Sequence, residues 1–504
     1  MQQTYQKLAK KLEELGQLEQ IAGILHWDQE VIMPRGAAQA RAGQIASLAG
    51  VVHEMQTNPQ IGELLDQLES GSLNELDPYE RCNIRETRRT YDRETKVPME
   101  LVKELAELGS KGHHIWVKAR EENKYSDFAP VLERLIELQK QWAHYIEPDL
   151  PPYDVLMDIY ERDLTVARVD PIFERLKAEL VPLIRAIQES DYQPDTSFLQ
   201  GEFSIAKQEA LGRTISEALG FDFDKGRMDV SVHPFCGGAD PTDVRITTRY
   251  GTDNFMESLF AVIHETGHAM YEQGRMERDR ALPVSEALTT GIHESQSLFW
   301  ERMISKQKAF CDHYMELFTE TFPDNLKGVG SQAFNEAINI CRPTFIRVEA
   351  DEVTYPMHII LRYEIEKGIF DGTYTVSDLP EAWNNKMQDY LGICPATDAE
   401  GILQDVHWSG GAFGYFPSYT FGAMYACQFY NAIRQEFPDL ENWIREGKFQ
   451  PIKQWLSQKI HVKGKLLSTE SLLKEVTGEV LNPSHFITYL KNKYHAIYRL
   501  GSTA

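Results

Sequence analysis

The segment His264-Glu265-Thr266-Gly267-His268 restricts what this chain can fold into more than any other stretch. Histidines four residues apart lie one turn above each other on a single helix face. Both imidazoles then reach one Zn²⁺, and the glutamate between them reaches a water bound to that ion. The flanks support a helix. Asn254 with Glu257 three residues later resembles a capping box, and Gly274 is a natural stop. Met256, Leu259, Phe260, Ile263, Gly267 and Met270 form an apolar face. Without a metal, the pair would be hydrogen-bonded core histidines. Two unpaired imidazoles beside a buried stripe are harder to justify than two ligands.

Most of the chain repeats apolar residues at helical spacing. Segments 2–24, 36–69, 78–95, 98–122, 126–146, 168–190, 204–219 and 254–273 read as helices. So do 285–320, 331–340, 343–367, 378–391, 421–436, 451–458, 468–478 and 482–494. Punctuation falls at Met33-Pro34-Arg35-Gly36, Glu147-Pro148, Leu150-Pro151-Pro152 and between Pro234 and Pro241. Residues 227–250 break the pattern: they alternate and are β-branched, which predicts two short strands joined by a Gly/Pro loop. Arg81, Arg85, Arg88 and Arg89 have helical spacing and read as a solvated or salt-bridged face rather than an anion site.

With 504 residues, 42% of them hydrophobic, the chain can bury a large core in two lobes or one continuous helical body. A formal charge of −24 makes nucleic acid and anionic membrane surfaces poor partners. Six scattered cysteines form no C-x-x-C pair and fit a reducing compartment. The N-terminus reads as an amphipathic helix with Leu8, Leu12 and Leu15 on one stripe, not as a signal core. No apolar run is long enough to span a bilayer. A cytoplasmic protein is the expectation.

A catalytic zinc needs a third protein ligand and an open position. Glu272, Glu277, Glu286 and Glu294 are the downstream candidates. Glu272 lies one turn past His268 on the same helix and converges poorly with both histidines. Glu286 and Glu294 share the predicted next helix, about 12 Å apart along its axis, so only one can ligate. Glu286 follows Ser285 in the first turn, where acids complement the helix dipole. Glu294 has small neighbours in Ala287, Thr290, Gly291 and Ser297, which permit close approach to the motif helix. The pattern modestly favours Glu294. In this chemistry the metal lowers the pKa of its water, and Glu265 takes the proton and passes it to the leaving amine.

Several segments then become recognisable together: His233-Pro234-Phe235, Asp243-Val-Arg245-Ile-Thr247, the histidine motif itself, and His293-Glu294-Ser295-Gln296. Ile346-Arg347-Val-Glu-Ala350-Asp351, Gly401-Ile-Leu-Gln404-Asp405-Val-His407-Trp408 and Gly414-Tyr415-Phe416-Pro417 follow. Near the start stand His26-Trp27-Asp28 and Met33-Pro34-Arg35-Gly36. In order and spacing the chain resembles the M32 metallocarboxypeptidases, the carboxypeptidase Taq family. The resemblance implies a mainly α, gluzincin-like fold with a long deep groove and a small β-sheet beside the zinc helix. It implies a single catalytic domain over 1–504, with approximate lobes at 1–200 and 201–504. It also implies a metal site of His264, His268 and Glu294, with Glu265 as base. The family releases single C-terminal residues with broad tolerance and poor action on proline. Many members are homodimers, and Co²⁺ can substitute for Zn²⁺.

The resemblance places Arg347 on the substrate's terminal carboxylate, a role that suits a planar, always-charged fork. The alternative is an ion pair with Glu349 or Asp351. Arg245 is a second candidate that equally well holds its strand in place. His407 and Tyr415 suit transition-state stabilisation, with Tyr419 as the alternative phenol, in a glycine-rich loop able to close over substrate. The alternative is a packed aromatic loop. His233 resembles a strand histidine that contacts substrate in related helical dipeptidyl peptidases, and a structural role is the alternative. The expected activity is that of a broad-specificity metallocarboxypeptidase acting on peptides. A helical oligoendopeptidase or dipeptidyl carboxypeptidase is the alternative enzyme, and a non-enzymatic peptide-binding protein is disfavoured by the complete histidine and glutamate set.

Overall fold

Most helices form where the apolar spacing predicts them, and their breaks reveal the local chemistry. The structure, a computed structural model, describes residues 1–501. The first helix runs Gln2–Val31 and buries Tyr5, Leu8, Leu12 and Leu15, then continues through the buried Trp27. The predicted 36–69 helix divides into Ala38–Gln56 and Pro59–Glu69, because the Asn58 side chain accepts from Gln60 N and starts a new turn. Pro151-Pro152, read as a break, instead opens the helix Pro152–Tyr160. Proline at the first turn lacks only an N–H that the helix does not use. The arginine run lies on Pro78–Lys96, where Arg88 pairs with Asp66 and Glu69. Arg89 and Arg93 share Asp158, so this face is salt-bridged, and both also line the main cavity.

The sheet has three strands where two were expected: β1 (Gly226–Val230), β2 (Cys236–Asp240) and β3 (Asp243–Thr248). Their order is β1-β3-β2, with β1 parallel and β2 antiparallel to β3. The presumed Gly/Pro loop contains β2, whose Cys-Gly-Gly-Ala-Asp sequence carries no strand signal. Gly238 adopts φ +132°, and a Cβ there would stand 2.2 Å from the Asp243 carbonyl oxygen. Val244 and Ile246 of β3 pack with Phe221 against Ala269 on the motif helix, Phe255–Gln273.

Behind that helix the predicted 285–320 segment is three elements. Thr290–Leu298 is α-helical, Phe299–Ser305 is a π-helical stretch, and Lys308–Thr321 resumes the α-helix. Thr289 caps the first by accepting from Ile292 N. Glu286 therefore lies outside the helix, bound to Lys465. The predicted 343–367 helix begins only at Tyr355, because Asp351 accepts from Arg342 N, Val353 N and Thr354 N in a polar turn. Two glycines let the site helices close. A Cβ on Gly267 would stand 2.6 Å from the Gln296 carbonyl oxygen, and one on Gly422 of the helix Pro417–Glu436 would stand 2.7 Å from Glu294 Cγ.

Glu161 joins the same helices from behind. It accepts from Gly291 N, Thr289 Oγ1, the Tyr425 hydroxyl and Thr469 Oγ1 at 3.0–3.2 Å. Burial pushes its carboxyl up to about 7 against these hydrogen bonds. Among the described residues no helix is long and apolar enough to cross a membrane.

Gly267→Ala is expected to cost about 1–3 kcal/mol of stability through overpacking, read from denaturant midpoints. Glu161 predicts a pH slope. From the ordinary 4.5 up to about 7, the unfolded chain has lost a proton that the native state keeps. Its contribution to stability therefore falls as pH rises through that window. Glu161→Gln should lose that part of the slope, up to about 3 kcal/mol between pH 5 and 8, in a comparison of unfolding midpoints.

Candidate active site

The motif helix places His264 and His268 on the face turned toward Thr290–Leu298, and Glu294 meets them there. Its Oε2 lies 3.6 Å from His264 Nε2 and 3.3 Å from His268 Nε2. Donor atoms at the corners of a tetrahedral Zn²⁺ site stand about 3.3 Å apart, given ligand distances near 2.0–2.1 Å. These three residues are the group among the described residues able to hold a metal ion. Glu286 and the exposed Glu277 stay outside it. Glu272 also stays outside, bonding His293 at 2.8 Å and Arg275 at 2.7 Å.

Second contacts orient the imidazoles. His264 Nδ1 lies 2.8 Å from Glu301 Oε2. A carboxylate only accepts, so Nδ1 carries a hydrogen, and Nε2 is the ring nitrogen turned toward Glu294. Glu301 was not singled out in the sequence, yet the signal was present: it follows Glu294 by two helical turns. His268 stacks on His293 with ring centroids 4.5 Å apart.

The electrostatics suit a cation. Burial raises Glu294, but the two imidazoles outweigh it and hold the carboxyl far below its usual range. Burial opposes charge on His264, while Glu294 and Glu301 outweigh it and raise that group well above normal. Burial pulls His268 down to about 4. Glu265, 7% exposed, is pushed up to about 7 by burial, with His264 opposing and Glu294 adding.

The cluster opens into a cavity of about 990 Å³. Glu265, Arg347, Tyr355, Tyr415 and Tyr419 line it. Arg347 does not pair with Glu349 or Asp351. Its Nε donates to Asp405 at 3.0 Å, its Nη1 to the Tyr355 hydroxyl at 2.8 Å, and its backbone N to Gln404. Arg362, fully buried, donates to the same Asp405 and Gln404. Two sequence motifs thus interlock as one wall.

Tyr415 packs between Tyr160 and Tyr419, with ring centroids 4.9 and 5.2 Å away. Its loop needs Gly414, at φ +82°, because a Cβ would stand 2.7 Å from the Leu156–Met157 backbone. Buried Glu366 anchors this loop by accepting from Gly414 N, Trp408 Nε1 and the Tyr153 hydroxyl.

Three expected residues stand apart from the cavity lining. His407 lies 5.3 Å from the Tyr415 ring, and burial lowers it to about 4, so it is a neutral imidazole packed against Phe416. Arg245 pairs doubly with Asp243 at 2.7 Å and covers Trp27 of the first helix. It fastens the sheet to the N-terminal helix. The His233 side chain is exposed, while the following Pro234, Phe235 and Cys236 reach the cavity. Thr247 holds that turn by accepting from Phe235 N and Ser231 Oγ, which explains why these two motifs occur together.

Removing the Glu301 partner should loosen the metal site without destroying it. Glu301→Gln is expected to weaken metal affinity about 10- to 100-fold, measured by competition with a chromogenic chelator.

The chain is similar to known proteins along nearly its whole length. The sequence profile of the carboxypeptidase Taq (M32) metallopeptidase family matches residues 7–494. The chain is 41% identical to carboxypeptidase 1 of Bacillus subtilis (strain 168), covering 99% of both chains. It is 38% identical to thermostable carboxypeptidase 1 of Thermus thermophilus, covering 98% of this chain and 99% of that one. The solved M32 carboxypeptidase of Deinococcus radiodurans R1 superposes with a TM-score of 0.96 at 33% identity, covering 99% of this chain and 100% of that one. This chain belongs to the M32 carboxypeptidase Taq family and is a metal-dependent carboxypeptidase.

Proposed function

We propose that this enzyme releases single residues from the C-termini of peptides, with broad side-chain tolerance and poor action on proline, using one Zn²⁺ that Co²⁺ can replace. The observation that carries this reading is the meeting of His264, His268 and Glu294 beside Glu265, in a cavity whose wall presents Arg347. His264, His268 and Glu294 would hold the ion. When bound, a divalent ion activates water and polarises the scissile carbonyl.

The chain's own residues supply the rest. Arg347 is fixed in direction by Asp405 and Tyr355 and offers its remaining donor edge to the terminal carboxylate. Glu265 takes a proton from the attacking water and returns it to the leaving amine. Burial favours the protonated form of this carboxyl, which suits a group that must first accept a proton and then give it up. Tyr415 is the phenol proposed to stabilise the developing oxyanion, with Tyr419 beside it as the alternative donor. His407 would join only if its loop shifted toward the cavity.

We further propose one catalytic unit spanning 1–504, acting as a cytoplasmic homodimer. The family resemblance supports the dimer, and cysteines that all remain free support a reducing compartment. The charge of −24 disfavours nucleic acid as a partner.

The test pairs a variant with a substrate change. Glu265→Gln should keep its metal by elemental analysis while kcat falls about a hundred- to ten-thousandfold. An N-blocked peptide with a free C-terminus should lose residues one at a time, and its C-terminal amide should resist. Internal cleavage of the amide would establish an endopeptidase instead.

A further inference from the structure

The helix Tyr355–Asp371 carries a row of polar side chains through the interior. Tyr355, Arg362 and Glu366 lie seven and four residues apart, so they share one helix face. Arg362 and Glu366 have no exposed surface. Tyr355 and Arg362 both act on Arg347. The Tyr355 hydroxyl accepts from Arg347 Nη1, and Arg362 holds the Asp405 and Gln404 that hold Arg347 in turn.

Glu366 turns to the other loop of the cavity. Its Oε1 accepts from Trp408 Nε1 at 2.7 Å. Its Oε2 accepts from Gly414 N at 2.9 Å and from the Tyr153 hydroxyl at 2.8 Å. Trp408 follows His407, and Gly414 precedes Tyr415. One carboxylate therefore pins both ends of the segment that leads into Tyr415. All three partners donate, and a group that only accepts serves them together. An amide does not: whichever way it turned, its NH2 would face Trp408 Nε1 or Gly414 N. Burial pushes the carboxyl up to about 7, and the three donors and Arg362 pull against it. A site that needed only packing would be served as well by an apolar residue of similar volume.

We propose that Glu366 is a positioning residue for the reaction: it fixes the 408–414 segment so that the Tyr415 hydroxyl stands where the oxyanion develops. This rests on the reading of Tyr415 as the oxyanion donor. Such a donor must be held to within about 0.5 Å of its productive place. A segment containing Gly410, Gly411 and Gly414 has little stiffness of its own, so the aim of the phenol comes from the buried carboxylate behind it. The same helix face thus sets both the carboxylate-binding guanidinium and the phenol, and their spacing is built into one rigid element.

The experiment is a double-mutant cycle on the metal-loaded enzyme with an N-blocked peptide, with kcat and KM read separately. Tyr415→Phe should lower kcat about a hundred- to a thousandfold, the usual worth of one oxyanion donor. Glu366→Gln should lower kcat about ten- to a hundredfold, with KM and metal content near those of the wild type. Added to Tyr415→Phe, it should cost less than about threefold more, because the group it aims is gone. An equal loss in both backgrounds, or a loss expressed in KM alone, overturns the proposal. Tyr153→Phe removes a single hydroxyl and serves where Glu366→Gln folds poorly. It should lower kcat about two- to tenfold in the wild-type background and not beside Tyr415→Phe; an unchanged kcat or an equal fall in both overturns the proposal as well. A fully active Tyr415→Phe overturns the assignment of the phenol itself. A slow Tyr415→Phe beside a fully active Glu366→Gln overturns only the positioning role.

Discussion

The contact between the motif helix and Thr290–Leu298 is the constraint on which the rest of the site depends. Glu294 reaches two histidines of another helix only because Gly267 lets the Gln296–Ser297 backbone come in where any side chain would stand. Gly422 gives Glu294 room from the opposite side. The site is therefore set by backbone spacing before any donor atom is considered. Small residues here serve a distance, and the resulting donor spacing matches that of a tetrahedral coordination sphere.

A second constraint is electrostatic. Asp405 lies between Arg347 and Arg362, and Gln404 bonds both residues, so two distant sequence segments form one charged wall. The buried arginines are tolerable because each faces a carboxylate that is itself fully bonded. An arginine in that setting is aimed rather than free. Its rotamer entropy is already lost before a ligand arrives, which favours binding.

Much of this was legible in the sequence. The histidine spacing defined the motif helix, and the small residues around Glu294 pointed to the third donor that the geometry brings into place. The family motifs were also visible, but the reasons for their pairing were not. Nothing in a linear reading links Thr247 to Phe235, or Arg347 to Asp405, because those bonds cross long separations. The β2 strand was missed because glycine and alanine carry no strand propensity, and its pairing comes from β3 alone. The start of the helix after Glu286 was misplaced because Thr289 is the cap and Ser285 belongs to a separate turn. Arg245 and His233 sit in genuine motifs, yet one fastens the sheet to Trp27 and the other points its ring into solvent. A recurring pattern marks a needed residue without saying whether the need is chemical or mechanical.

The π-helical stretch after Leu298 joins two properties that would otherwise vary separately. Such a stretch is a helix with a wider turn, commonly one residue inserted into an α-helix. Here it carries Glu301, which steers an imidazole, and Arg302, which faces the cavity. Excising one residue from it would rotate both side chains about the helix axis together. The backbone irregularity is thus a shared hinge in evolutionary terms: a lineage that straightened this helix would change its metal site and its cavity charge in a single mutational event.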